Sequence, residues 1–415
     1  MLGSLQNLYD DTNLNDSSYI LCILALIVSL KIISNYQTEK MRFHYNKQST
    51  LMREFVKTSK IREYTYTPYW CTLNAFTNCM IFLFCELASK LMKPVKYERE
   101  LFTLSDGGTI ALDWIVDHEG GLPKKHSQRP VICMMSGLSG GNDNLYLISL
   151  VKEAMRLGYK CVIINYRGTS GVKLTSSKIY WMNQWEDVKE PIDYISQKYC
   201  RGEEYLKRSL YGYGASLGGQ FLSSYLIHEG QNSVLDGAIT YGQPFNLKDN
   251  VEFFKKNCFK FFDFGMGFIY SLVLQHDIMP DLKNYISQEQ YNQMQENIKK
   301  HRCSLMDLDQ NVLIPYVGYK DLNEYYNYTQ AQGKIHKIRT PIMFLNSEDD
   351  PCIQKELYPF KECEGNEFTL LAMTKRGGHC SHITGGVRPF QWFSAPCMEF
   401  FEFLENKKRA TTKVE

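Results

Sequence analysis

The chain carries thirteen cysteines yet has no C-x-x-C pair and no grouping of cysteine with histidine at zinc-ligand spacing. Neither a metal site nor a secreted disulfide framework can be read from it. Net charge is also nearly absent: 47 Lys and Arg against 45 Asp and Glu leave +2 over 415 residues. No global field therefore points to a nucleic acid or another polyanion as partner. Glycine-rich turns occur, but none has the lysine of a P-loop or the G-x-G-x-x-G spacing of a dinucleotide site. The first 18 residues contain no Lys or Arg and so lack the basic region of a secretory signal. What the chain does have is 44% apolar residues with abundant Tyr (28) and Phe (23), enough for a large core and for aromatic pockets.

One apolar run stands out. Tyr19 to Ile33 reads YILCILALIVSLKII, with Lys31 close enough to its end to reach the head groups. Basic residues follow it: Lys40, Arg42, Lys47, Arg53, Lys57, Lys60 and Arg62. A membrane anchor is expected here, with the remainder of the chain on the cytosolic side. A second apolar stretch, Ala75 to Leu91, is interrupted by Asn78, Cys79, Glu86 and Lys90, which favours an amphipathic or pocket-lining helix over a span. It is preceded by the aromatic segment TYTPYW (Thr65 to Trp70).

Beyond about residue 95 the pattern becomes short apolar runs, each closed by a Gly- or Asn-rich turn and followed by a helical stretch. The runs are Val131 to Met135, Cys161 to Ile164, Leu210 to Tyr213, Ala238 to Tyr241, Ile342 to Leu345 and Phe368 to Met373. Runs without alternation suit strands covered on both faces, hence an α/β fold with a mostly parallel sheet. Ligands of such sheets bind outside the carboxyl ends of the strands, where the polar motifs fall.

The sharpest motif is Gly214-Ala215-Ser216-Leu217-Gly218 between a strand-like LYGY and a helix-like LGGQFLSSYLI. A G-x-S-x-G in that context lifts a serine hydroxyl clear of the sheet on a tight turn, with a helix N-terminus behind it. A hydroxyl is a weak nucleophile at neutral pH and needs a histidine base that is itself oriented by a carboxylate. Asp349 and Asp350 follow the fifth run, and His379 follows the sixth in a Gly-Gly-His turn, in the order Ser, Asp, His. His382 competes with His379, and spacing does not rank the two aspartates. The turn Ser136-Gly137-Leu138-Ser139-Gly140-Gly141 is placed to supply one oxyanion donor, the N–H of Leu138, with the N–H of Leu217 as the second. This chemistry requires neither metal nor cofactor.

These residues resemble the α/β-hydrolase subfamily of membrane-anchored abhydrolase domain-containing lipases, and are similar also to yeast medium-chain ethyl ester synthase/esterases. The likeness spans most of residues 60 to 400. It is carried by RELFTLSDGGTIALDW (Arg99 to Trp114), SGLSGG, NYRG (Asn165 to Gly168), GASLGGQ (Gly214 to Gln220), GYKDLNEYY (Gly318 to Tyr326), NSEDDP (Asn346 to Pro351) and GGH (Gly377 to His379). The resemblance implies the α/β-hydrolase fold, a triad of Ser216, Asp350 and His379, and glycerolipids or other acyl esters as substrates, with water or an alcohol resolving an acyl-enzyme. Ala215 and His382 depart from the residues usual in the family and bear on substrate range.

The implied organisation is a tail and membrane anchor over 1–60, an amphipathic substrate-side segment over 61–98, and a hydrolase domain over 99–405. A helical cap is inserted in that domain at about 243–335, and a C-terminal tail covers 406–415. The competing reading is a silent relative retained as a membrane-bound assembly subunit, a role that commonly goes with loss of a triad member. Here all three are present.

Overall fold

In the computed structural model the described residues are 16–91, 95–138, 140–182, 184–386 and 388–412. Asp10 and Asp11 of the N-terminal tail and Ser139 of the first glycine-rich turn lie outside them. The main sheet has nine strands among the described residues. They are β1 (Arg42–His44), β2 (Tyr97–Thr103), β3 (Thr109–Ile115), β4 (Val131–Met135), β5 (Lys160–Asn165), β6 (Leu210–Ala215), β7 (Gly237–Tyr241), β8 (Ile342–Ser347) and β9 (Thr369–Thr374).

The longer helices are α1 (Asp16–Tyr36), α2 (Thr50–Thr58), α3 (Ala75–Leu91), α4 (Leu145–Arg156), α5 (Glu186–Ile195), α6 (Leu217–Glu229), α7 (Leu247–Lys256), α8 (Phe261–Val273), α9 (Gln288–His301), α10 (Leu322–Thr329) and α11 (Ser394–Thr412). Residues 406–412 thus continue a helix.

Across the sheet the order is β1-β9-β8-β7-β6-β4-β5-β3-β2. The six strands from β9 to β5 in that order are parallel, and β1, β3 and β2 are antiparallel additions at the two edges. This is the α/β-hydrolase fold, with each of the six short apolar runs beyond residue 95 found as a parallel strand. Why the runs lack alternation is visible in their packing. Val131, Cys133 and Met135 of β4 join the core that includes α5, α6 and the helices between β7 and β8. Ile132 and Met134 join the core made with α4 and α11 on the opposite face. Each fully buried side chain of this size contributes about 1.5–3 kcal/mol relative to exposure, so neither face of β4 can tolerate a polar residue cheaply.

Register brings the strand ends level. Met135 pairs with Gly214, Gly214 with Thr240, and Leu345 with Tyr241. The motifs that follow β4, β6, β8 and β9 therefore emerge along one rim.

The segment between α1 and α3 belongs to the body. Strand β1 pairs with Leu371 to Met373 of β9, and Ser49 caps α2 by accepting from the Met52 N–H at 3.2 Å. Met52 and Phe55 are fully buried, with the Phe55 ring 5.0 Å from that of Phe400 and 5.2 Å from that of Phe403 on α11. Helix α3 is attached through the polar residues that interrupt it. Asn78 donates to the Tyr66 hydroxyl at 3.1 Å, and the Cys79 thiol lies 3.3 Å from the Ser381 hydroxyl. The Glu86 carboxylate accepts from Asn144 Nδ2 at 3.0 Å and from the Leu145 N–H at 2.6 Å, capping α4.

Helix α1 is different. Its window Tyr19–Tyr36 has a mean hydropathy of 1.9 and is almost wholly exposed. Its length and composition suit a membrane helix, criteria that an N-terminal signal sequence also meets.

Because Phe55 seals α2 against α11, Phe55→Ala is expected to destabilise the whole hydrolase body by about 3 kcal/mol or more, the cost of an aromatic-sized cavity. Urea unfolding of the detergent-solubilised protein measures it. An unchanged midpoint would mean that residues 50–58 are peripheral.

Candidate active site

The turn at Ser216 is dictated by close backbone approach. Ser216 has φ 52° and ψ −115°, a conformation that costs a non-glycine residue on the order of 1–3 kcal/mol and persists only where its surroundings enforce it. A Cβ on Gly214 would lie 2.3 Å from the Gly218 carbonyl oxygen. One on Gly218 would lie 2.5 Å from the Met135 oxygen and 2.6 Å from that of Ser136. Both glycines of the pentapeptide are therefore steric necessities, and through Gly218 the first turn of α6 sits directly on the end of β4. The Ser216 N–H donates to the Tyr241 carbonyl at 2.8 Å, tying the turn to β7 as well.

Three expected site residues come together. The Ser216 hydroxyl lies 2.9 Å from His379 Nε2, and His379 Nδ1 lies 2.8 Å from Asp350 Oδ2. With Nδ1 donating to a carboxylate, Nε2 is left as the acceptor facing the serine. The other Asp350 oxygen, Oδ1, accepts from the Cys352 N–H at 2.8 Å. Burial pulls the His379 pKa down, but the charge of Asp350 and its hydrogen bond outweigh this and hold it above 6.5.

The alternatives separate cleanly. Asp349 Oδ1 accepts from the Gly378 N–H at 2.9 Å, while Ser347 Oγ donates to the Gly378 carbonyl at 2.7 Å. Asp349 thus braces the loop that carries His379, with burial pushing its own pKa up to about 6. His382 faces away from the serine. Its Nδ1 is 2.9 Å from the Tyr241 hydroxyl and its Nε2 is 2.8 Å from that of Thr374. Burial depresses its pKa to about 3, so it stays neutral. A Cβ on Gly377 would meet the His382 ring at 2.2 Å, so this imidazole is a platform on which the histidine loop turns.

Leu138 and Leu217 both line the cavity that Ser216 and His379 share. The turn carrying Leu138 is held by three tyrosines, which spacing did not reveal. Tyr166 donates to the Ser136 carbonyl at 2.5 Å, the Gly137 N–H donates to the Tyr146 hydroxyl at 2.8 Å, and Tyr180 donates to the Leu138 carbonyl. The Gly140 N–H closes the turn on the Gly137 carbonyl at 3.0 Å.

Behind the turn, buried Asp113 accepts from Asn142 and Asn165 at 2.7 Å each and from both Arg99 forks at 2.7 and 2.8 Å. Arg167 is bidentate to Asp187 at 2.5 Å and reaches Asp106 at 3.1 Å. The charged members of the motifs around residues 99–114 and 165–168 are thus ion-pair scaffolding beside the site, away from the reacting atoms.

Most of the remaining wall is apolar: Leu247, Val251, Phe254, Met266, Leu305 and Met306 come from the segment between β7 and β8, Met182 and Ile353 from outside it, and Gln220 and Asn250 are polar members. Asp350, Cys352 and His379 present possible metal-ligand atoms within 4.8 Å of one another. An ion there would have to break the His379–Asp350 bond that orients the imidazole, so the donor set suits a base and its carboxylate better than a metal centre.

No protein-family model matches the sequence. The chain is similar to "Protein abhd-3.2" of Caenorhabditis elegans, 26% identical over 375 residues covering 87% of this chain and 92% of that protein. It is 26% identical to "Phospholipase ABHD3" of Mus musculus over 294 residues, 70% of this chain and 68% of the relative. It is also similar to "Medium-chain fatty acid ethyl ester synthase/esterase 2" of Saccharomyces cerevisiae, 24% identical over 437 aligned positions covering 89% and 93%.

The pKa of His379 is a direct check on this geometry. Its ring proton resonance should titrate above 6.5 in the folded protein, and below 6.5 in Asp350→Asn, where burial is the main remaining influence. The sign carries into stability. A raised folded-state pKa stabilises fully below the unfolded value near 6.5, and that contribution is lost as pH rises through the folded value. The stability difference between wild type and His379→Gln should therefore narrow as pH is raised above 6.5. A gap that is flat with pH would contradict the pairing.

Proposed function

We propose that this chain, a member of the abhydrolase-domain lipase and esterase group of α/β hydrolases, is a membrane-associated serine hydrolase that cleaves lipid acyl esters through Ser216, His379 and Asp350. The chain is a carboxylic ester hydrolase, the activity class to which the relatives' names and the fold both lead. The observation that carries the finer reading is the relay from Ser216 Oγ through His379 to Asp350, at 2.9 and 2.8 Å, opening into a cavity whose wall is mostly apolar.

In this reading Ser216 Oγ attacks the ester carbonyl as His379 Nε2 takes its proton, and Asp350 stabilises the imidazolium that forms. The N–H groups of Leu138 and Leu217 receive the oxyanion. His379 returns the proton to the leaving alcohol, and water or an alcohol, activated by the same imidazole, resolves the acyl-enzyme. The apolar cavity wall takes the acyl chain, which makes phospholipids, acylglycerols and simple fatty esters the substrate class. Residues 243–335 serve as the cap and 61–98 as the substrate-side segment. Helix α1 anchors the chain, and the basic residues after it put the catalytic domain on the cytosolic face. No nucleic acid, metal or cofactor enters the scheme.

A fluorophosphonate probe should label the solubilised full chain at Ser216, and Ser216→Ala should remove both labelling and ester turnover. Asp350→Asn should keep the fold and lower kcat by roughly 10⁴, the cost of the wrong histidine tautomer in enzymes of this chemistry. Labelling that survives Ser216→Ala would sink the assignment. Analysis of products with ethanol competing against water separates hydrolysis from acyl transfer.

A further inference from the structure

Helices α3 and α8 each bury one face and leave the other bare and apolar. On α3 the exposed positions are Phe76, Leu83, Phe84 and Leu87, with Phe84 70% and Leu87 61% exposed. On α8 they are Phe261, Phe264, Phe268, Ile269 and Leu272. Both sets follow the three-and-four spacing of a helical stripe. The two stripes are neighbours, because the Phe76 ring lies 5.3 Å from Phe261 and 6.3 Å from Phe262. A contiguous apolar surface spanning two helices marks a binding face rather than a solvent face.

Three observations choose its occupant. Helix α1, apolar and exposed, is fastened at its end beside this surface: Ser34 donates to the Pro68 carbonyl at 2.5 Å, and Thr38 meets Thr67 at 2.7 Å. From Pro68 only seven residues lead to the start of α3, a reach of roughly 25 Å at full extension. Second, α8 stands between the surface and the site, since Met266 on its inner side lines the cavity of Ser216. Third, a charged rim of lysines paired with carboxylates adjoins the apolar stripes. Lys255 and Lys260 border the groove shared by Phe76, Phe261 and Phe264, with Asp263 and Asp307 also on its wall and Lys255 Nζ 3.9 Å from Asp307. Lys256 follows in the same turn, 2.8 Å from Glu252. An apolar stripe with lysines at its margin is the pattern of a helix lying in the head-group layer.

We propose that the outer faces of α3 and α8 form a docking platform that sits in the interfacial layer of the membrane holding α1, with Phe84, Leu87, Phe264 and Phe268 among the acyl chains. The platform holds the body against the lipid surface on the side where α8 walls the catalytic cavity. Its purpose rests on the ester-hydrolase reading above, whereas its existence does not.

The test uses the full chain in nanodiscs of phosphatidylcholine whose acyl chains carry bromine, a contact quencher of tryptophan. Phe84→Trp and Phe268→Trp should each add fluorescence that is quenched several-fold relative to unbrominated discs. Leu206→Trp, which lies before β6 at the opposite end of the sheet, should not. Equal behaviour at all three positions overturns the platform. So does a mass of two chains per disc that falls to one in Phe84→Asp/Phe268→Asp, which would assign the surface to a second copy.

A kinetic arm separates this result from the function itself. The double aspartate variant should lose on the order of tenfold in turnover of an ester embedded in phosphatidylcholine vesicles, because interfacial binding scales with buried apolar area. It should hydrolyse a soluble short-chain ester at the wild-type rate. Equal loss on both substrates overturns the proposal. Quenching at 84 and 268 in a protein that turns over no ester sustains the platform and removes the Ser216 reading.

Discussion

The first turn of α6 rests on the end of β4 with no room for a side chain between them, since a Cβ on Gly218 would come within 2.5 Å of the Met135 carbonyl oxygen. That contact joins the two turns that matter: the one that raises Ser216 and the one that carries Leu138. Ser216 keeps its unfavourable φ of 52° because the approach leaves the chain no relaxed alternative. The tyrosines at 146, 166 and 180 then hold successive backbone groups of the Leu138 turn from the other side. A donor aimed at a developing charge is effective only if it need not reorganise when the charge appears. Fixing both turns against one another gives the proposed donors at Leu138 and Leu217 that property.

Buried carboxylates do the remaining work, each with a different neighbour. Asp350 uses one oxygen for His379 and the other for the Cys352 N–H, so its orientation is set before it meets the imidazole. Asp349, one residue away, accepts from the Gly378 N–H and fixes the loop that carries His379. Asp113 and Asp187 answer arginines and serve the scaffold. Burying a charge is costly unless it is paired and hydrogen-bonded; Asp113, Asp187 and Asp350 have such partners, whereas burial pushes the pKa of Asp349 up to about 6. The neighbouring pair at 349 and 350 shows how two identical side chains acquire separate tasks from backbone position alone.

Much of this was legible in the sequence, for physical reasons that can be named. Strands covered on both faces must be apolar throughout, so β4 to β9 announced themselves as uninterrupted runs. The G-x-S-x-G turn was legible because its glycines are sterically compelled. Strand β1 was not, since three residues, Arg42 to His44, hold no pattern and owe their place to pairing with β9. Helix α2 was hidden by the basic residues around it, although Met52 and Phe55 are wholly buried. Neither the choice of Asp350 over Asp349 nor that of His379 over His382 follows from spacing, because only three-dimensional packing decides which carboxylate and which ring face the serine. The tyrosine clamp left no signal either, since tyrosines scattered over 35 positions converge only once the strands are in register.

The polar residues of α3 bear on the same question from another direction. In sequence they argue only against a transmembrane span. In the structure they are the means by which an apolar helix is held on the body with its bare face outward. Asn78 and Glu86 attach the two halves of the helix, and Cys79 lies beside the loop that carries His379, 3.3 Å from Ser381. A Cβ on Gly378, the residue before His379, would meet the Cys79 sulfur at 2.9 Å. The helix that carries the most exposed phenylalanine on this surface thus packs against the loop of His379. A body seated by α3 therefore has its histidine loop and its outer apolar face on two sides of one helix.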